Sequence, residues 1–317
     1  MCHELNDLKQ KSGIWKRALM LRRTSIYIIL ILRENHIKKD YIDRLDDTLM
    51  NDIQDGLLEM LTDIDAALRK NGVQYSLDSG TAIGGVRHHG FIPWDDDADL
   101  IVKECDLERF ENAIKNLPEE KYYLQRPFST DWSNSFYKIR LNSSTAIEES
   151  HLGTRMHQGL FVDVFVARNY PKGKFRQKIY ELLLLCQRGL RRISFHNYGK
   201  PRRDGIQSLL YSMQRRVIKT MAFICEKDSP YYHLDYGNPY PPILKKDFEE
   251  CIDCDFEGTK LRLFKGYDRI LTTLYGDYMT PPPEDKRVGG HLIAYERNID
   301  YKVWLKEHGY STENCKP

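Results

Sequence analysis

Tyr75-Ser76-Leu77-Asp78-Ser79-Gly80-Thr81-Ala82-Ile83-Gly84-Gly85-Val86-Arg87, and shortly after it Phe91-Ile92-Pro93-Trp94-Asp95-Asp96-Asp97-Ala98-Asp99-Leu100-Ile101-Val102, form the most informative stretch of this 317-residue chain. Tyr75 to Leu77 completes an apolar–polar alternation begun at Val73, the pattern of a half-buried strand. Gly80, Gly84 and Gly85 imply a tight backbone around a short helix, whose N–H groups can approach a phosphate. Four aspartates within five positions repel one another if left alone. On a strand alternate residues share a face, so Asp95, Asp97 and Asp99 project together, roughly 6–7 Å apart, while Asp96 and Ala98 point the other way. A divalent cation offsets that repulsion, and an all-oxygen donor set suits Mg²⁺ or Mn²⁺ rather than zinc. A solvated acidic loop is the plainer reading of an aspartate run. The apolar flanks Ile92-Pro93-Trp94 and Leu100-Ile101-Val102 argue against it.

Upstream, Leu57, Leu58, Leu61, Ile64, Ala67 and Leu68 keep a 3.6-residue period that stops at Asn71-Gly72, both tolerant of positive φ. Ile37, Tyr41, Ile42 and Leu45 carry a weaker helical spacing. Downstream, Phe136 to Leu141 and Leu160 to Val166 read as strands, and the second holds a lone carboxylate, Asp163, where an unpaired charge would be costly. Helices interspersed with short strands predict an α+β fold, a mixed sheet flanked by helices. From Lys172 to Lys227 there are fourteen Lys and Arg against three acids, a net +11 that leaves −9 for the remainder of a chain totalling +2. That segment reads as a basic helical insertion, either a helix pair with a solvated face or an interfacial platform. Tyr231 to Pro242 reads as a loop and Pro281-Pro282-Pro283 as a rigid extended element. The expected organisation is an N-terminal helical extension at 1–50, a catalytic core at 51–170, the basic insertion at 171–235 and a completing segment at 236–317.

The near-neutral total argues against a dedicated nucleic-acid binder, and no apolar run is long enough to cross a bilayer. The run at 26–32 follows Lys16-Arg17 and Arg22-Arg23 as a signal peptide's apolar region would, yet Arg33-Glu34 follows it with no small-residue cleavage site. Seven scattered cysteines fit a reducing cytoplasm better than a disulfide framework. Cys251-x-x-Cys254 has no second pair at zinc-site spacing, and Gly84-Gly85 lacks the full dinucleotide fingerprint.

A Gly-Thr turn and helix, Asp-x-Asp, and a third carboxylate on a later strand together resemble the nucleotidyltransferase fold. The full stretch from Tyr75 to Asp99 resembles the signature of the LicD family, phosphotransferases related to fukutin and the fukutin-related protein. Lys138-Ile139-Arg140 with Thr145, Gly159-Leu160-Phe161-Val162-Asp163-Val164-Phe165, and Phe256-Glu257-Gly258 followed by Tyr275-Gly276-Asp277-Tyr278-Met279, Pro281-Pro282-Pro283-Glu284, Arg287 and His291 resemble its further motifs in order. One departure is Val166-Ala167-Arg168 after Asp163, where the family has Pro-hydrophobic-Asp.

The resemblance implies transfer of a phospho-alcohol, phosphocholine from CDP-choline foremost or phosphoribitol from CDP-ribitol, to a hydroxyl of a cell-surface glycan such as lipopolysaccharide or teichoic acid, or to its lipid-linked precursor. It carries the metal carboxylates to Asp95, Asp97 and Asp99, and the later acid to Asp163. Asp97, Asp99 and Asp163 are thus the expected catalytic residues, with Asp163 taking the acceptor's proton or serving as another metal ligand. Gly80, Thr81, Arg87, Lys138 and Arg140 are the expected substrate-binding residues. Lys138 and Arg140 alternate on one strand face, where they assist the leaving cytidine monophosphate. A nucleotidyltransferase acting on a small acceptor shares the metal geometry. A non-catalytic carbohydrate- or membrane-binding protein gives the clustered acids no use. The expected setting is the cytoplasm, with peripheral contact to the inner membrane face through 172–227 and no nucleic-acid partner.

Overall fold

The apolar stripe ahead of the acidic run becomes the helix against which the candidate site is built. In the computed structural model, residues 36–129, 131–152, 154–197, 204–234, 240–287 and 289–312 are described. The chain divides into two units, Met1–Leu45 and Asp46–Pro317, against an expected boundary at 50/51. The first contains helix α1 (36–44); the apolar run at 26–32 lies outside the described residues. No helix among the described residues is long and apolar enough to cross a membrane.

In the second unit, α2 (Asp47–Lys70) starts at Asp46, whose carboxylate accepts the Leu49 N–H, and ends at Asn71 before Gly72 at φ +64°. Ile53, Leu57, Met60, Leu61, Ile64 and Leu68 form its buried face. A seven-stranded mixed sheet follows the spatial order β1 (Tyr75–Leu77), β2 (Asp99–Lys103), β6 (Phe161–Tyr170), β4 (Tyr137–Leu141), β3 (Tyr122–Gln125), with β7 (Tyr231–Leu234) paired to β6 and β8 (Ile243–Leu244) to β7. The β2–β6 pairing is parallel and the others are antiparallel. A parallel partner requires a long crossover; here α4 (Leu107–Lys115), β3, β4 and β5 (Thr145–Glu148) lie between the two strands. β5 pairs instead with β11 (Leu292–Glu296), and β9 (Cys251–Phe256) pairs with β10 (Thr259–Phe264). The helices are α3 (Ser79–His88), α5 (Lys174–Asn197), α6 (Asp204–Ile224), α7 (Tyr267–Tyr275) and α8 (Tyr301–Glu307). This is the α+β architecture expected, and the basic segment is the α5–α6 hairpin.

Two local expectations are corrected. Residues 231–234 form a strand of the main sheet, not a loop, so the sheet resumes inside the stretch assigned to the insertion. Tyr231-Tyr232-His233-Leu234 is a β-prone run that pairs with the second half of β6, and Tyr232 and Leu234 pack with Ile101, Ala167, Phe248 and Phe264. The strand expected over the whole acidic run begins only at Asp99. Pro93 offers no N–H, and the Asp95 N–H turns back to the Ile92 carbonyl at 2.9 Å, so 95–98 is irregular.

Candidate active site

Strand register supplies the first half of the site. Asp99 opens β2 opposite Asp163 on β6, and Asp163 in turn lies opposite Lys138 on β4. In-register neighbours share a sheet face, so one row across three strands carries two carboxylates and a cation. Lys138 is 1% exposed, with its Nζ 3.0 Å from Asp163 Oδ1 and 3.1 Å from Glu148 Oε2, over the Phe161 ring. Glu148 is also 2.7 Å from His151 Nδ1 and 3.4 Å from Arg140 Nη2. Burial alone would raise the Glu148 carboxyl, but Lys138, His151 and Arg140 hold it well below the usual range.

The turn ahead of β2 supplies the second half. Gln54 on α2 donates its side-chain amide to the Ile92 and Asp95 carbonyls, each at 3.1 Å, which fixes the turn. Thr81 Oγ1 accepts the Asp99 N–H at 2.9 Å, and the Asp78 N–H donates to the Asp99 carbonyl at 2.9 Å. Gly80 leaves room for the Asp95 carboxylate, since a Cβ there would stand 2.7 Å from Asp95 Oδ2. Asp96 points away, 2% exposed, and accepts the His291 N–H at 3.2 Å, the Leu292 N–H at 3.0 Å and a bond from His291 Nδ1 at 2.9 Å. The same imidazole nitrogen lies 3.3 Å from Asp97 Oδ2. Asp96 thus draws the segment leading into β11 onto the acidic turn.

Burial is the largest cause holding the carboxyls of Asp95, Asp97 and Asp99 above the usual range. The Asp97 charge adds to it at Asp95 and Asp99, and the His291 charge opposes it at Asp97. The hydrogen bond to Asp96 raises His291 to about 9, against the effect of burial and with help from the Asp97 charge. Asp163 is lifted to about 7 by burial, with Lys138 pulling the other way.

Asp95, Asp97 and His291 each bring one ligand atom within 4.8 Å of the others. The two carboxylates suit a hard divalent cation, as expected, whereas the His291 Nδ1 is engaged with Asp96 and places a positive charge beside them. Asp99 is not part of this trio; it lies deeper, beside Asp163. Behind burial, the Asp97 charge adds to the rise at Asp95 and Asp99, and a cation would relieve that part. The residues fit the group.

Other expected binding residues separate. Thr81 is 1% exposed and its hydroxyl is spent on the Asp99 backbone. Arg140 is wholly buried, donating to Gln125 Oε1 at 2.7 Å and the Gly159 carbonyl at 2.9 Å. It shares a face with Lys138, as expected, but β5 covers that face through Glu148, so the pair meets a protein carboxylate and Arg140 does not reach a ligand. Arg87, at the end of α3, donates to the Tyr278 carbonyl at 2.6 Å, and burial and nearby Arg287 together lower its pKa. Arg287 lies over the Trp94 ring at 5.3 Å, immediately before Asp95. Arg87 and Arg287 are thus near enough to feel one another's charge, with Arg287 over the residue that precedes Asp95. Cys251 and Cys254, three apart on β9, face opposite sides and form no pair.

Sequence reading gave no role to His291, Gln54, Glu148 or the inward carboxylate of Asp96. The signal for His291 was its place after Pro281-Pro282-Pro283-Glu284 and Arg287. Its partner is 195 residues away, beyond any local pattern.

Comparison with known proteins gives a consistent result. Residues 72–189 match the family described as LicD/FKTN/FKRP, nucleotidyltransferase domain. The chain is 28% identical over 250 residues to the lipopolysaccharide cholinephosphotransferase LicD of Haemophilus influenzae, covering 74% of this chain and 93% of that protein. An uncharacterised Rickettsia prowazekii protein is 46% identical over 74 residues, 21% of this chain and 28% of its own length.

Proposed function

Taking as premise that residues 72–189 form a LicD family domain, we propose that this protein transfers a phospho-alcohol from a CDP-activated donor to a hydroxyl of a cell-surface glycan or its lipid-linked precursor. Phosphocholine from CDP-choline is the favoured donor chemistry, because the relative matched over most of the chain is a lipopolysaccharide cholinephosphotransferase. The observation that carries the reading is the convergence of Asp95, Asp97, Asp99 and Asp163 from a turn and two parallel strands, with Lys138 closing the row.

The acceptor oxygen attacks the phosphorus that bears the alcohol. The bond from that phosphorus to the bridging oxygen breaks, cytidine monophosphate leaves with the electron pair, and the hydroxyl proton passes to a carboxylate. Such a transfer asks the protein mainly for position and charge neutralisation. Asp95 and Asp97 would hold Mg²⁺ or Mn²⁺, which would supply charge neutralisation for the diphosphate, while His291 stays bonded to Asp96 beside them. Asp163 takes the proton, and Lys138 fixes its orientation. Arg87 and Arg287 bind the departing phosphate on the rim. Asp99 anchors the turn and keeps the row negative toward the cation.

Incubation with CDP-choline, CDP-ribitol or CTP in the presence of acceptor glycan tests the reading. Release of cytidine monophosphate from CDP-choline is expected. Pyrophosphate release from CTP would instead assign nucleotidyl transfer, and activity with CDP-ribitol alone would change the alcohol. Mn²⁺ should raise the melting temperature of the wild type but not of Asp97→Ala; a shift retained in that variant would remove the cation from this seat.

A further inference from the structure

The α5–α6 hairpin carries more apolar surface than its buried side uses, and part of that buried side is polar. Between the two helices lie Gln187, Ser194 and Gln214, each 0% exposed, with Gln214 Nε2 donating to Ser194 Oγ at 2.9 Å. The Gln187 amide has no hydrogen-bond partner among the described residues. Facing outward, meanwhile, are Phe175, Leu182 and Leu185 on α5 and Leu209, Met213 and Phe223 on α6; Phe175 is 77% and Phe223 87% exposed. Of the fourteen large apolar side chains exposed among the described residues, eight lie on these two helices. Tyr180, Leu184, Leu210 and Met221 fill the buried side as in any amphipathic pair, so the outward apolar side chains form a second apolar surface that water alone does not account for.

The outward stripes are threaded with cations at helical spacing. Lys178 stands four residues before Leu182, Arg192 seven after Leu185, and Arg216 three after Met213, all exposed. We propose that this face docks onto a bilayer surface containing anionic lipid, with the apolar side chains entering the headgroup boundary and the Lys and Arg heads held at the phosphates. Charge decides between occupants. On the described parts of the two helices Lys174, Lys178, Arg192, Arg216 and Lys219 are exposed against one exposed acid, Glu181, so a second copy would set two basic surfaces against each other, whereas an anionic surface complements both the charge and the apolar stripe. The hairpin leaves β6 after Tyr170, seven residues beyond Asp163, roughly 23 Å along the strand. The docking face is therefore carried by a different element from the carboxylates.

Flotation of the full chain with vesicles of phosphatidylcholine alone, and with phosphatidylcholine mixed with phosphatidylglycerol, tests the inference. Binding is expected to the anionic vesicles only and to weaken as salt rises. Leu182→Glu with Leu185→Glu should lower the bound fraction about tenfold or more, and Phe223→Glu, on the other helix, should act in the same direction. Far-ultraviolet circular dichroism, and turnover of the donor with a soluble acceptor glycan, should be unchanged in both. Absence of flotation by folded wild type at low salt would overturn the proposal. So would a lipid-free dimer that the same substitutions dissociate, because it would give the face to a second copy.

Discussion

At the residue scale the site depends on carboxylates held close together and buried. Asp163 is the member whose removal separates chemistry from folding. Asp163→Asn keeps the shape and leaves Lys138 its contact with Glu148, so turnover is expected to fall about 10²–10⁴-fold while the melting temperature stays near that of the wild type. Steady-state rates beside thermal melts check it. A second residue sets an acid limit on stability. His157, 1% exposed, accepts the Gly159 N–H at Nδ1 (3.1 Å), so Nε2 carries the hydrogen toward Asn142 Oδ1 at 2.9 Å. Burial, then Arg140 and Lys302, hold its pKa well below the ordinary value of 6.5. The unfolded chain takes up a proton near pH 6.5 and the folded one only far lower, so stability is full above that pH. It declines on acidification by at most about 1.4 kcal/mol per pH unit for this one proton. Melts between pH 7.5 and 5 should slope less in His157→Gln than in the wild type. The run from Asp95 to Asp99 and Asp163 were legible as candidate site residues because acids stood between apolar flanks, Trp94 and Leu100 for the run, Val162 and Val164 for Asp163. Lys138 and Arg140 were misread as ligand-facing because Glu148, the acid that buries them, looks like any other glutamate in the sequence.

At the level of elements, the decisive piece is the turn at 92–95, held by Gln54 from α2 and packed against α3. Gly80→Ala is the sharpest probe of that packing. Alanine favours a helix by up to about 1 kcal/mol, so stability should hold or rise slightly. Its Cβ, however, would stand 2.7 Å from Asp95 Oδ2, so the carboxylate must move and activity should fall at least about tenfold. A melting curve and a rate measured on one preparation give both quantities. The elements with strong local periodicity were readable: α2, the short helix through Gly80–Gly85, and the apolar strands β2, β4 and β6. Those defined by partners were not. β9 is half-exposed and mixed in polarity, and it is a strand because β10 pairs with it. β7 was obscured by the Pro- and Gly-rich stretch that follows it.

For the whole molecule, β6 is the spine. It pairs with β2, β4 and β7, and it carries Asp163 near its start and the hairpin from its end. Hydrogen exchange should find the slowest amides in β2 and β6, with α5 and α6 exchanging faster because their outer surfaces are uncovered; equal protection in both regions would contradict the spine. The fold class was visible from the sequence. The spatial order was not, because parallel β2 and β6 are separated by a crossover containing two other strands of the same sheet. The bond between Asp96 and His291, 195 residues apart, also has a temporal side. At a translation speed of roughly 5–20 residues per second, the acidic turn leaves the ribosome on the order of ten to forty seconds before the imidazole that balances it. During that interval the acidic turn must do without the imidazole that later bonds Asp96, and Lys138, whose charge reaches Asp97, emerges well before it.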